Sequence, residues 1–220
     1  MTKAALPLVL ALALAACGTA TDETAGARAW LALAQQGLGR DAPAAAPQGG
    51  LTRAALAQVL TPVDLVTVDS TGASGLIARI GTNAGVETWS SADDKTLSFR
   101  NGVLVATRGL GADLMAADVP PLAGLAAGQG SHGRTHVTLT GDESPNRATY
   151  ACVLATLGPE TVVIVERAYA TRHVQETCSG RDGSFVNDYW FDRRGILWQS
   201  RQWTGRDLGH LTIRRLRDGA

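Results

Sequence analysis

Apolar positions along this chain follow three successive patterns. Residues 4–16 form an unbroken apolar run behind Met1-Thr2-Lys3. From 21 to 62 the spacing is helical. One helix is predicted over 21–37, with Asp22 as its cap, Trp30, Leu33 and Ala34 on one face, and Gly37 at its end. A second, short helix starts after Leu51, capped by Thr52, with Ala55, Leu56, Val59 and Leu60 as its apolar stripe and Pro62 as its stop. Residues 41–50, with two prolines and a double glycine, connect the two.

From position 63 apolar and polar residues alternate with a period of two, the signature of strands with one buried face. Strands are predicted at 63–68, 76–80, 86–89, 96–100 and 103–107, then at 135–140, 148–157, 161–177, 185–192, 196–204 and 210–216. The stretch 161–177 is long for one strand and implies a bend or bulge near 168–170. Residues 111–119 are expected to make a helical turn, and 120–133 a loop rich in glycine and alanine. Asn101-Gly102 suits a two-residue hairpin turn, which would pair Phe99 with Leu104 and Leu97 with Ala106. Asp192-Arg-Arg-Gly195 reads as a four-residue hairpin loop. The fold class is therefore all-β: a predominantly antiparallel sheet, either a sandwich or a curled, barrel-like meander, with one or two N-terminal helices. No fixed period repeats, which argues against a propeller or solenoid.

The apolar run at 4–16 is too short to span a bilayer, which takes about 18 residues or more. It ends in Leu14-Ala15-Ala16-Cys17, the lipobox pattern of secreted bacterial lipoproteins, whose cysteine thiol is diacylated. The expected organisation is a signal peptide over 1–16, a lipidated segment with helix and connector over 17–50, and a β-rich periplasmic domain over 51–220. Each buried methylene of an acyl chain contributes about 0.8 kcal/mol, so two or three chains hold a protein stably on a membrane. Gly18, rather than Asp, after Cys17 favours the outer membrane. Two cysteines then remain in an oxidising compartment, Cys152 and Cys178, and a disulfide between them is expected.

Formal charge balances at 20 basic and 20 acidic residues, so no net field points to nucleic acid. Arginine outnumbers lysine heavily; Lys3 and Lys95 are the only lysines, an excess that follows from a base-composition bias rather than from a ligand. His132 and His136 are spaced i,i+4, but in a strand entry where that spacing does not share a face, so no metal site is expected. Gly72-Ala-Ser74-Gly75 lacks the strand-to-helix context of a nucleophile elbow and reads as a turn. Asp93-Asp94 and Asp142-Glu143 are loop acids that the chain order does not place across a cleft, so no catalytic residues are assigned. No cofactor is expected. Trp190, Trp198 and Trp203 crowd the C-terminal hairpin beside several arginines. The first two read as core. Trp203, with Arg201 and Arg206, is the candidate glycan-binding group, because aromatic rings can stack on sugars while guanidinium groups hold acidic substituents.

The lipobox, the stretch Arg100-Asn-Gly-Val-Leu-Val-Ala-Thr-Arg-Gly-Leu-Gly-Ala-Asp-Leu, and the late Trp-Phe-Asp-Arg-Arg-Gly-Ile-Leu-Trp-Gln-Ser-Arg-Gln-Trp together resemble the YjbF family. These are lipoproteins associated with group 4 capsule and exopolysaccharide operons. The resemblance implies an outer-membrane lipoprotein that works beside an outer-membrane β-barrel and periplasmic partners in polysaccharide export, by binding glycan or protein rather than by catalysis. The connector and the Cys152/Cys178 pair carry none of this resemblance, and their roles stay open. Two other functions fit a β-rich lipoprotein: a lipid or lipoprotein carrier whose curled sheet encloses an apolar cavity, and a glycan-modifying hydrolase.

Overall fold

The computed structural model describes residues 51–217. The leader, Cys17, the helix expected over 21–37 and the connector all lie outside the described residues. No described helix is long and apolar enough to cross a membrane.

Twelve antiparallel strands make one sheet. They are β1 (Val63–Val68), β2 (Ser74–Asn83), β3 (Val86–Ser91), β4 (Thr96–Arg100), β5 (Val103–Arg108), β6 (Ala116–Asp118), β7 (Gln129–Leu139), β8 (Pro145–Ile164), β9 (Arg167–Gly180), β10 (Gly183–Phe191), β11 (Leu197–Gly205) and β12 (Gly209–Arg217). Two short helices accompany them, α1 (Arg53–Ala57) before β1 and α2 (Leu122–Ala127) between β6 and β7. The strand order is β5-β4-β3-β2-β1-β12-β11-β10-β9-β8-β7-β6. Every sequential pair except β5 and β6 is hydrogen-bonded as neighbours, and the first strand pairs with the last. The sheet thus curls into a nearly closed barrel whose one seam lies between β5 and β6. Bonds from the end of β5 stitch that seam: Thr107 N–H donates to Leu114 O at 2.8 Å, and the Arg108 guanidinium donates to Leu114 O and Met115 O, both at 3.2 Å.

Alternation decides which side chains fill the barrel. Val66, Ile213, Ser200 and Tyr189 are register partners across β1, β12, β11 and β10 and point inward. Gln202 on β11 reaches across the interior to β5, its Oε1 accepting from Leu104 N at 2.9 Å and its Nε2 donating to Gly102 O at 3.0 Å. Bulges at Arg79/Gly81, Thr156/Gly158 and Trp203/Gly205 supply the local bends that a curled sheet needs.

The opposite face of β1 is buried as well. Beyond the Gly158 bulge the end of the β8–β9 hairpin folds over the outside, so that Val162, Ile164 and Tyr169 pack on Val63, Leu65, Trp190 and Leu216 together with Leu56 and Val59. Arg53 of α1 clamps this hairpin end, donating to Val165 O at 2.6 Å and also to Ile164 O.

Several expectations are corrected here. The span 161–177 is not one strand: it contains the turn Val165-Glu166, both at positive φ (43° and 64°), which no glycine or asparagine announces. The Arg53 clamp and the apolar layer beneath hold it. Residues 111–119 form no helical turn; the Asp113 carboxylate accepts from Gly109 N and Leu110 N at 2.8 and 3.2 Å and from Thr107 Oγ1 at 2.8 Å, making a loop that leads into β6. Residues 120–133 are not a loop but α2 and the start of β7. Leu122, Leu125 and Ala126, at i, i+3 and i+4, carried that signal and pack on the barrel's lower core. In the β4–β5 hairpin the turn is as expected, with Asn101 at φ 52° and Gly102 at φ 84°, and Phe99 faces Leu104. A bulge then pairs Ser98 with Ala106 and Leu97 with Thr107, not Leu97 with Ala106. Leu60, expected on a buried stripe, is 77% exposed because α1 ends at Ala57.

Gly128 ends α2 in the left-handed region at φ 70°, and a Cβ there would collide with Thr156 Oγ1 and the Arg172 guanidinium. Gly128→Ala should therefore destabilise the fold by about 1–3 kcal/mol, from left-handed strain plus the clash. Urea unfolding of the variant beside the parent chain measures this, and an unchanged midpoint would contradict the placement of α2.

Candidate functional site

Strand directions sort the connections onto two ends. Residues 84–85, 101–102, α2, 165–166 and 192–196 lie at one end, which also receives residue 51 and α1. Residues 69–73, 92–95, 109–115, 140–144, 181–182 and 206–208 lie at the other. The first end is stoppered. Leu125 of α2 is completely buried against Val103, Leu154, Val174, Tyr189, Phe191 and Leu197. The second is open.

Above this stopper an ion-paired group crosses the barrel. Glu176 is fully buried and accepts from Arg134 Nε at 2.6 Å, Asn187 Nδ2 at 2.8 Å and Tyr189 Oη at 2.9 Å, with His132 Nε2 at 2.5 Å. Arg134 also donates to Tyr189 Oη at 2.8 Å. Burial alone would raise the Glu176 pKa, but the hydrogen bonds from His132, Arg134 and Asn187 and the charge of Arg134 hold it down to about 2. Burial raises Tyr189 well above the usual phenol range. His132, Cys152 and Glu176 bring one potential ligand atom each within 4.8 Å of one another. The sulfur is bonded to Cys178 at 2.00 Å, as the cysteine count predicts, and Arg134 holds the carboxylate, so these donors are already engaged. The arrangement braces the barrel, since a buried carboxylate is tolerated only when its lone pairs are met.

At the open end lies a cavity of about 690 Å³. The β10–β11 ladder stops at Asp188/Arg201, and above it Asn187 Oδ1, not a backbone carbonyl, accepts from Trp203 N at 2.7 Å. The two strands part there, and aromatic side chains occupy the wall. His136, Phe185 and Trp203 form a near-parallel pile with centroids 5.4 and 5.9 Å apart, and Tyr150 meets Phe185 edge-on at 4.9 Å. Phe185 and His136 are buried, whereas Tyr150 and Trp203 are half-buried and line the cavity. Burial and the positive charge of Arg134 push His136 down to about 4, so at neutral pH it is an uncharged ring within the pile. A mixed wall of aromatic faces and polar groups suits a ligand with both apolar and hydroxylated surfaces.

The C-terminal aromatic and arginine residues separate in space. Trp203 and Arg206 line the cavity. Arg201 does not: its Nε pairs with Asp69 Oδ2 at 2.6 Å and its Nη2 meets His210 Nδ1 at 3.0 Å on the outer face. Trp190 and Trp198 pack in the outer apolar layer, Trp198 stacked on Tyr169 with centroids 3.9 Å apart. Cys17, the lipidation residue, lies outside the described residues.

Residues 27–216 match the family described as group 4 capsule polysaccharide lipoprotein gfcB, YjbF. The chain belongs to the YjbF family. Among solved structures, the hypothetical lipoprotein YmcC from Escherichia coli (K12) is similar in fold, with a TM-score of 0.65 at 22% identity, over 74% of this chain and 87% of that one. No curated protein sequence matches it. Family membership makes this a lipoprotein of the capsule-polysaccharide class and implies membrane anchorage.

Sequence reasoning identified one wall residue of this YjbF-family cavity, Trp203, together with Arg206, and missed Tyr150, Phe185 and His136. The alternation of β8 and β10 already turned Tyr150 and Phe185 to the same side as the disulfide, but nothing in the chain order brings β7, β8 and β10 to one mouth.

Two pH windows follow. From pH 6.5 down to about 4 the unfolded chain binds a proton at His136 that the folded chain refuses, so stability falls as pH drops by on the order of 3 kcal/mol. Glu176 contributes its stabilisation above pH 4.5, and this is lost as pH falls toward about 2. His136→Phe should make the upper window shallower, leaving the part contributed by His210, which burial also lowers, and should leave the lower window in place. Denaturation midpoints measured from pH 7 to pH 3 check this, and an unaltered slope between 6.5 and 4 would refute it.

Proposed function

We propose that this chain is an outer-membrane lipoprotein, held on the periplasmic face through an acylated Cys17, that serves capsule or exopolysaccharide export by binding glycan in the mouth of its barrel. The observation that carries the reading is the open cavity walled by Tyr150, Phe185 and Trp203 at the end of the barrel away from α1. Flat rings offer the electron-rich faces on which sugar C–H groups pack, and the polar rim supplies hydrogen bonds to hydroxyls. The role is binding, not catalysis. Its partners are the growing or exported polysaccharide, an outer-membrane β-barrel and the periplasmic export proteins that the family resemblance implies.

A lipid carrier fits this mouth less well. An acyl chain requires a continuous apolar wall, and here Asp113, Glu143, Asp182 and Asp207 share the lining with the aromatics.

A deletion strain tests the proposal. It should lose most of its surface polysaccharide, the full-length gene should restore it, and Trp203→Ala should fail to restore it while still fractionating with the outer membrane. The purified Trp203→Ala chain should bind oligosaccharide about tenfold more weakly than the parent, as removal of a central aromatic anchor does elsewhere. Unchanged surface polysaccharide in the deletion strain would sink the reading.

A further inference from the structure

The charge of the mouth narrows its ligand, given the glycan-binding role proposed above. Four acidic side chains line the cavity, Asp113, Glu143, Asp182 and Asp207, against one basic side chain, Arg206. Arg206 Nη2 donates to the backbone carbonyl of Asp182, which places its positive group beside that rim acid. The Asp113 carboxylate is engaged by its own loop, accepting from Thr107 Oγ1, Gly109 N and Leu110 N, so Glu143, Asp182 and Asp207 carry most of the negative charge of the rim. The other arginine that sequence assigned to glycan lies on the outer face, paired with Asp69. Nor does the wall supply a compensating cation: His136 sits within the aromatic pile, buried.

We infer that the barrel mouth accepts neutral or amine-bearing sugar residues and rejects polyanionic chains. The geometry gives two independent reasons. An acid-rich rim sets a negative potential where the ligand must enter, least screened at half-buried Asp113 and Asp182 and softened by solvent at exposed Glu143 and Asp207. Tyr150 and Trp203 line the cavity half-buried, and a ligand group seated over an aromatic face meets a negative quadrupole that attracts C–H groups and ammonium groups but not carboxylates. A uronate or phosphate on the sugar would meet both effects with the wrong sign. An ammonium group would meet both with the right one.

Three oligosaccharides of equal length separate the possibilities: a glucosamine hexamer, cellohexaose and hexagalacturonate. Each is titrated calorimetrically into the full-length acylated chain in a neutral detergent at physiological ionic strength. The expected order is glucosamine hexamer tightest, cellohexaose next, and hexagalacturonate roughly tenfold or more weaker than the glucosamine hexamer. Trp203→Ala should weaken the first two together. Asp207→Asn, at an exposed turn position, should narrow the gap between the amine-bearing and the uronate ligand. Hexagalacturonate binding as tightly as the glucosamine hexamer, and lost in Trp203→Ala, would overturn the charge selection while leaving a glycan site at the mouth. Absence of binding by all three would instead overturn the glycan-binding role, and this inference with it.

Discussion

The ladder between the first and the last strand is the constraint on which the other features rest. Val63–Val68 pairs with Leu211–Arg217 along its length, with one irregularity between Val63 and Asp64. Without that ladder, the sheet would split into two meanders, β1–β5 and β6–β12, with β1 and β12 left as new edges, each a template for unwanted pairing. With it, the sheet must curl, and the remaining edges, β5 and β6, are brought close enough for short loop-borne hydrogen bonds to stitch them. Closing long-range contacts of this kind is entropically expensive, and both faces of β1 are buried in return: Val66 inward, Val63 and Leu65 outward beneath the folded hairpin end.

Curling creates an interior with two ends, and the chain treats them differently. α2 and the lower apolar cluster close one. A buried ion pair, Glu176 with Arg134, spans the middle and is fully hydrogen-bonded. The disulfide between Cys152 and Cys178 staples β8 to β9 directly beside it. Such a braced middle layer lets the upper end remain open: strands β10 and β11 part above Asp188/Arg201 without loosening the barrel below. A rigid floor beneath a half-exposed aromatic wall is a favourable base for recognition, because the wall is ordered before the ligand arrives.

Position along the axis links this architecture to the membrane. The described chain begins at the stoppered end, with α1, while the cavity opens at the far end. A tethered protein in which the attachment and the mouth are opposed can present its site away from the surface that holds it.

The residues by themselves determined the all-β class, most strand positions, the Asn101-Gly102 turn, the cysteine pair and the family resemblance, since each depends on local period, turn chemistry or a short motif. They did not reveal the Val165-Glu166 turn, because its positive φ values are held by Arg53 and the apolar layer, not by glycine. They also misread α2, whose three apolar positions were hidden in a glycine- and alanine-rich segment. The site was least legible of all. Trp203 was visible as a crowded aromatic, but its partners Tyr150, Phe185 and His136 come from three other strands, and Arg201, one residue from Gln202, turns to the opposite face. Local alternation tells which side of a strand a residue occupies. Only closure of the barrel decides which strands share a mouth, because that is fixed by pairing between segments far apart in the chain.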